Sequence, residues 1–271
     1  MRITFIGGGN MASAIIAGLS TLGRQDLQLH VVDRNPDKCE RMKAAYGITY
    51  SNQLSAADID ADVVVLAIKP QQLKALGEQI RPWMRQQLIV SVAAGIRTAT
   101  LAEWLGGYAR IVRVMPNTPA QVQLGVSGLF ATEAVRDAEK QTVTSIFEAV
   151  GKTVWLQHEA EIDKITAISG SGPAYVFYMI ESLASAARTL GFAPELADLL
   201  AKETFKGAIA LLDASGEPPA TLRANVTSKK GTTEQGIMSL QDDGLEAIVT
   251  RAAQRAEARS IELGDQLSAA E

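Results

Sequence analysis

The stretch 2–15, RITFIGGGNMASAI, decides how the N-terminal half is read. A short run of β-branched and aromatic residues passes straight into three glycines, and an alanine-rich helical stretch follows. Strand, glycine turn and helix in that order form the first βα unit of a dinucleotide-binding sheet. Gly7, Gly9 and Ala12 stand in the G-x-G-x-x-A arrangement. Each position has a mechanical reason: Gly7 permits the tight turn, Gly9 lets a pyrophosphate approach the backbone, and Ala12 keeps the helix close to the sheet. The helix N-terminus then favours the ligand's negative charge.

Outward from this unit, short apolar runs alternate with helical stretches. RITFI (2–6), LQLHVV (27–32), DVVVLAI (62–68), QLIVSV (87–92) and RIVRV (110–114) read as strands, several apolar nearly throughout, as parallel strands covered on both faces are. Helices are predicted near 10–20, 36–46, 70–80 and 98–105. Further runs at 126–130 and 152–156 extend the sheet around a helix near 134–149. The alternation predicts a Rossmann-type doubly wound sheet over residues 1–158.

After that the pattern changes. AYVFYMIESLASAARTL (174–190) is apolar almost all round, and PELADLLAKETFKGAIALLD (194–213) carries leucines and isoleucine at helical spacing. A last helix is predicted from about residue 244. Residues 159–271 therefore read as an all-α domain with more apolar surface than it can bury alone. A second copy, joined as a homodimer through these helices, is the natural cover.

Composition narrows the class. The net charge of −4 argues against phosphate-neutralising binding to nucleic acid. The single cysteine, Cys39, fits a reducing compartment. No apolar run reaches the roughly 18–20 residues of a membrane span, and the opening apolar run is too short for a secretory signal. The expectation is a cytoplasmic protein with neither membrane nor nucleic acid as partner.

The second strand ends in VVDRN (31–35). Asp33 suits the ribose 2′-hydroxyl of NAD, whereas Arg34 and Asn35 offer donors to the 2′-phosphate of NADP. A plainer reading makes Asp33 and Asn35 caps for the helix at Pro36. The two donors favour NADP(H), with NAD(H) the alternative. AIKP (67–70) places Lys69 beyond a strand end, where dinucleotide ligands sit, or else simply in solvent before a helix-starting proline.

A nicotinamide supplies hydride, so the protein must orient the substrate and supply a proton. Reduction of a ketone calls for a strong acid–base group. The two histidines, His30 in a strand and His158 between domains, stand in no catalytic cluster, and no metal-ligand spacing is present. A C=N bond is easier, because its nitrogen can be protonated before the hydride arrives.

FIGGGNMA (5–12), AIKP, RVMPNTPA (113–120), SGSGPAYVF (169–177) and VTSKKGTTEQGI (226–237) follow one another along the chain. Together they resemble the pyrroline-5-carboxylate reductase family from residue 1 to about 265. The resemblance implies NAD(P)H-dependent reduction of 1-pyrroline-5-carboxylate to L-proline, the last step of proline biosynthesis, by an interlocked homodimer that often builds a decamer. It implies that Gly7, Gly8, Gly9, Asn10 and Met11 wrap the pyrophosphate, and that Arg34, Asn35 and Asn52 lie round the adenosine ribose. Ala67, Lys69, Ala94 and Asn117 would line the path to the nicotinamide. Ser228, Lys230, Gly231, Thr232 and Thr233 would hold the substrate carboxylate, with Thr233 also bonding the ring nitrogen as the catalytic residue. Such consecutive amides form an anion-binding concavity; alternatively Thr232 or Thr233 is the N-cap of a helix starting near Glu234.

One departure stands out. Where the family usually carries Gly or Asn, this chain has Lys229 and Lys230, and a lysine at positive φ costs about 1 kcal/mol or more. Two other readings remain. A 3-hydroxyacid dehydrogenase would need a lysine on the first long helix of the second domain, and 174–190 has none. A dinucleotide-binding redox sensor explains the glycine turn but not the hydroxyl-rich loop.

Overall fold

Eight strands form one sheet among the described residues, 1–24 and 26–269, of the computed structural model. They are β1 (Arg2–Ile6), β2 (Gln28–Val32), β3 (Thr49–Ser51), β4 (Val63–Leu66), β5 (Leu88–Ser91), β6 (Ile111–Met115), β7 (Gly125–Ala131) and β8 (Gly151–Trp155). Their order across the sheet is β3-β2-β1-β4-β5-β6-β7-β8. Every neighbouring pair is parallel except β6 with β7. That exception follows from length: residues 116–124 are too few for the crossover that a parallel return needs. The edge strand β3, three residues long, carries too little pattern to be read from sequence.

Helices α1 (Asn10–Thr21), α2 (Pro36–Tyr46), α3 (Ala56–Ile59), α4 (Leu73–Ile80), α5 (Thr98–Trp104), α6 (Asp137–Glu148) and α7 (Glu161–Ile165) accompany the sheet. The alternation of side chains along β1 explains why both faces are covered. Ile3 and Phe5 pack in one cluster with Ile15, Ile16 and Leu19 of α1 and Val143 and Phe147 of α6. Ile6 points the other way, into a cluster with Leu73, Leu76 and Ile80 of α4 and Leu101 of α5. Each such fully buried side chain contributes about 1.5–3 kcal/mol. After α7 the chain makes a π turn, Thr166–Gly170.

The remaining helices are α8 (Gly172–Thr189), α9 (Pro194–Ser215), α10 (Pro219–Asn225), α11 (Thr232–Asp242) and α12 (Leu245–Ala269). Pro194 opens α9 at its first turn, and Gly216, at φ 65°, ends it in the left-handed conformation. The chain packs as two units, Gly172–Gln254 and the rest, so the end of α12 from Arg255 onward belongs with the sheet. The sequence reading put the division at 158/159. The residues after it stay with the sheet because Glu159 and Asp163 are bonded there, to Thr98 and Arg113 and to Ser260 respectively.

The helical unit has no core of its own. Between Gly172 and Gln254 the buried residues are Ala184, Ala187, Ala197 and Ala201. These alanines belong to α8 and α9. The large apolar side chains lie outside, with Phe177, Tyr178 and Leu190 exposed to 61%, 71% and 80%. Among the described residues no helix is long and apolar enough to cross a membrane.

Candidate active site

β1 and β4 are neighbours although β2 and β3 lie on the far side of β1, so the sheet's winding reverses there. Ligands of such sheets bind beyond the strand ends at that reversal. Gly7 follows β1 with φ 98° and donates its amide to the Val32 carbonyl at 2.8 Å. A Cβ here would stand 2.6 Å from the Ala67 carbonyl oxygen. Gly9 is different: an added Cβ would meet nothing within 4 Å. It is the N-cap of α1, without a side-chain cap, and the first intrahelical bond runs from Ser13 N to Gly9 O at 2.9 Å. The amides of Asn10, Met11 and Ala12 precede that bond and have no acceptor in the helix. Open space at Gly9 and free amides beside it, with no acidic residue in the first turn of α1, fit a pyrophosphate.

The end of β2 is organised by Asp33. Its Oδ2 accepts from the Gly8 amide at 2.8 Å and from Lys38 Nζ at 2.7 Å, while Oδ1 accepts from the Asn35 amide at 3.0 Å. Burial presses its pKa upward, but the Lys38 bond and the two amides outweigh it and hold the carboxyl below the ordinary range. Within the fold Oδ2 thus accepts twice and Oδ1 once. Asn35 caps α2 by accepting from the Lys38 amide at 3.0 Å, as the plainer sequence reading had it. Asn52 donates to the Asp33 carbonyl at 3.0 Å. Arg34 is exposed and has no bonded partner among the described residues.

The other residues expected on the nucleotide side lie within three residues of the ends of parallel strands. Ala67 donates its amide to Ile6 O at 2.9 Å beyond β4, and Lys69 is exposed two residues on. Ala94 is exposed in the turn after β5. Asn117, beyond β6, is buried, and its side chain is occupied: Nδ2 donates to Ser169 O and Oδ1 accepts from the Val126 amide, both at 2.9 Å. The carboxyl edge of β1 to β6 therefore carries all twelve residues expected on the nucleotide side, with the Asn117 amide group serving as an internal strut.

In the helical unit, the loop before α11 has a definite shape. Lys230 lies at φ 60°, so the lysine does occupy the left-handed region. Its amide donates to Glu234 Oε2 at 2.7 Å, a carboxylate reaching back from the first turn of the helix. Gly231 has an ordinary φ of −85° and is needed for room instead. A Cβ there would strike Ser228 Oγ and stand 3.0 Å from the Ser228 carbonyl oxygen. The cap of α11 is Gly231, and Thr232 and Thr233 are already helical. This corrects the reading of either threonine as the N-cap and of a start near Glu234. With the first helical bond running from Gln235 N to Gly231 O, the amides of Thr232 and Thr233 have no acceptor in the helix. Both hydroxyls are exposed and unpartnered among the described residues. The loop can grip an anion and offer it a hydroxyl.

Sequence reading missed Lys38 and Glu234. Glu234 had a signal, an acid in the first turn of a helix; Lys38 had none short of knowing which way Asp33 faces. Of the two histidine side chains, only that of His30 has a bonded place in the fold among the described residues. His30 contacts Thr49, Ser51 and Asp58 at 2.7, 3.1 and 2.9 Å, and His158 is exposed.

Residues 159–263 match the family model described as pyrroline-5-carboxylate reductase dimerisation, and residues 2–95 match one described as NADP oxidoreductase coenzyme F420-dependent. The chain is 43% identical over 267 residues to the pyrroline-5-carboxylate reductase of Pseudomonas aeruginosa, with 98% of each chain covered. This chain belongs to the pyrroline-5-carboxylate reductase family. The solved reductase of Coxiella burnetii superposes with a TM-score of 0.91 at 41% identity, covering 96% of this chain and 97% of that one. The Plasmodium falciparum reductase, solved with NADP bound, gives 0.82 at 30% identity, covering 97% and 98%. In this family member the dimerisation match takes in the coreless helices α8 to α11, whose exposed apolar side chains require a partner subunit.

Proposed function

We propose that the chain reduces the C=N bond of 1-pyrroline-5-carboxylate to L-proline, with NADPH preferred over NADH. The observation that carries this reading is a pair of amide cradles, one at α1 and one at α11, in a chain so similar along its whole length to a known reductase. The bound dinucleotide supplies a hydride equivalent. The protein's share is placement and a proton. Asn10, Met11 and Ala12 amides hold pyrophosphate; Arg34, free of partners, holds a 2′-phosphate, while the Asp33 carboxylate is drawn toward Gly8, Asn35 and Lys38 and away from a ribose 2′-hydroxyl. Thr232 and Thr233 amides take the substrate carboxylate, and Ser228 and Lys230 shape the cradle around Gly231. The Thr233 hydroxyl bonds the ring nitrogen and holds its proton in line. Carbon gains the hydride as the C=N π pair becomes the nitrogen lone pair of a protonated imine, so the product is the secondary amine.

The test is NADPH oxidation with 1-pyrroline-5-carboxylate. Thr233→Ala should lower kcat/KM by about 10–10³-fold, the scale for losing one positioned donor. Intact cofactor binding without turnover of this imine would leave a sensor, and turnover of a hydroxyacid instead would make the chain a dehydrogenase.

A further inference from the structure

We propose that the end of α12, Ser260–Ser268, is a positioning clamp for the turn after β5, and so sets the seat of the nicotinamide half of the dinucleotide. The proposal rests on the dinucleotide reading above. It starts from a turn with little of its own to hold it: Ala94 and Gly95 form a tight turn, and no well-formed hydrogen bond ties the backbone of Ala94, Gly95 or Ile96 among the described residues. Gly95 lies at φ 78°, buried, while Ala94 beside it is exposed at the carboxyl edge of the sheet.

What fixes the turn is α12. An added Cβ on Gly264 would stand 3.3 Å from the Gly95 carbonyl oxygen, and one on Gly95 would meet Leu267 Cδ1 at 2.9 Å. Backbone thus lies almost on backbone. Arg97 pairs with Asp265 at 2.6 Å, Thr100 meets Ser268 at 3.0 Å, and buried Ser260 donates to Asp163 at 2.6 Å. Positions 260, 264, 267 and 268 share one helix face. The dimerisation match ends at residue 263 and so stops short of most of this face. The turn follows β5, whereas the adenosine-side residues follow β2 and β3, on the opposite side of β1. Displacing it should therefore disturb one end of the dinucleotide and spare the other.

Gly264→Val and the milder Gly264→Ala push on the Gly95 carbonyl; Leu267→Ala loosens the same contact. Affinity is measured by titration calorimetry for NADPH and for adenosine 2′,5′-bisphosphate, which carries the adenosine end alone. Displacement by a fraction of an ångström should weaken NADPH about tenfold in Gly264→Val and less in Gly264→Ala. Adenosine 2′,5′-bisphosphate should stay within roughly twofold, and KM for NADPH should rise more than kcat falls. Unchanged NADPH affinity in both glycine variants would overturn the proposal, as would equal weakening of the two ligands, since α12 would then merely cover the core. Should Gly264→Val fail to fold, Gly264→Ala and Leu267→Ala decide by the same comparison. A wild-type protein that binds neither ligand would strike the dinucleotide reading instead.

Discussion

Asp33 and Arg34 show how one residue's partners can reverse a rule. An acid at the end of the second strand ordinarily signals a ribose 2′-hydroxyl. Here both carboxylate oxygens are already bonded, to Gly8, Asn35 and Lys38, and the neighbouring guanidinium is free. Arg34→Ala should raise KM for NADPH about tenfold and leave KM for NADH unchanged, the loss expected for one exposed charge-assisted contact; steady-state kinetics with each cofactor checks it. Equal effects on both would return the choice to Asp33. Sequence named both residues but could not say which was spent. Lys230 is the converse case. Its departure from the usual glycine raised the question of backbone strain, and φ is indeed positive. Lys230→Gly relieves that strain but adds freedom to the unfolded chain, and the two should offset to within about 1 kcal/mol in thermal melts. Activity should stay within about an order of magnitude, as expected of a residue that shapes the cradle without reacting; abolished activity would make the lysine a working part of the site.

At the scale of elements, apolar runs made β1, β2, β4, β5 and β6 legible because strands covered on both faces need nothing else. What was hidden depended on partners distant in sequence. β3 is recognisable only beside β2, where Thr49 and Ser51 meet His30 across the edge and Asp58 of α3 closes the network. This network has a pH signature. Burial lowers the His30 pKa, with Asp58 opposing in part, so the folded chain binds fewer protons than the unfolded one. Stability is then full above about pH 6.5 and falls as acid carries the solution through the depressed folded value. Burial alone would raise the Asp58 carboxyl, but bonds from Ser51, Ser55 and His30 lower it, adding a second loss at more acid pH. Urea melts between about pH 5 and 8 should show the first decline, and His30→Gln should flatten it. A flat wild-type profile would mean that His30 takes up its proton equally in the folded and unfolded chain, and stability that rises toward acid would mean the imidazole is protonated inside the fold.

For the whole molecule, the apolar circumference of α8 already argued for a second copy, and the structure sharpens the reason. Alanines at the α8–α9 crossing are all that Gly172–Gln254 buries, so nothing larger holds the unit together. Phe177→Asp, at a side chain 61% exposed, should split the dimer and lower activity by more than about tenfold, a charge in an apolar seam being costly. Sedimentation equilibrium beside the assay tests this; an intact, fully active dimer would place the seam elsewhere. Folding and pairing of these helices then become one reaction, second order in chains. Dilution should act on this protein as urea acts on others, with a melting temperature that climbs with the logarithm of concentration.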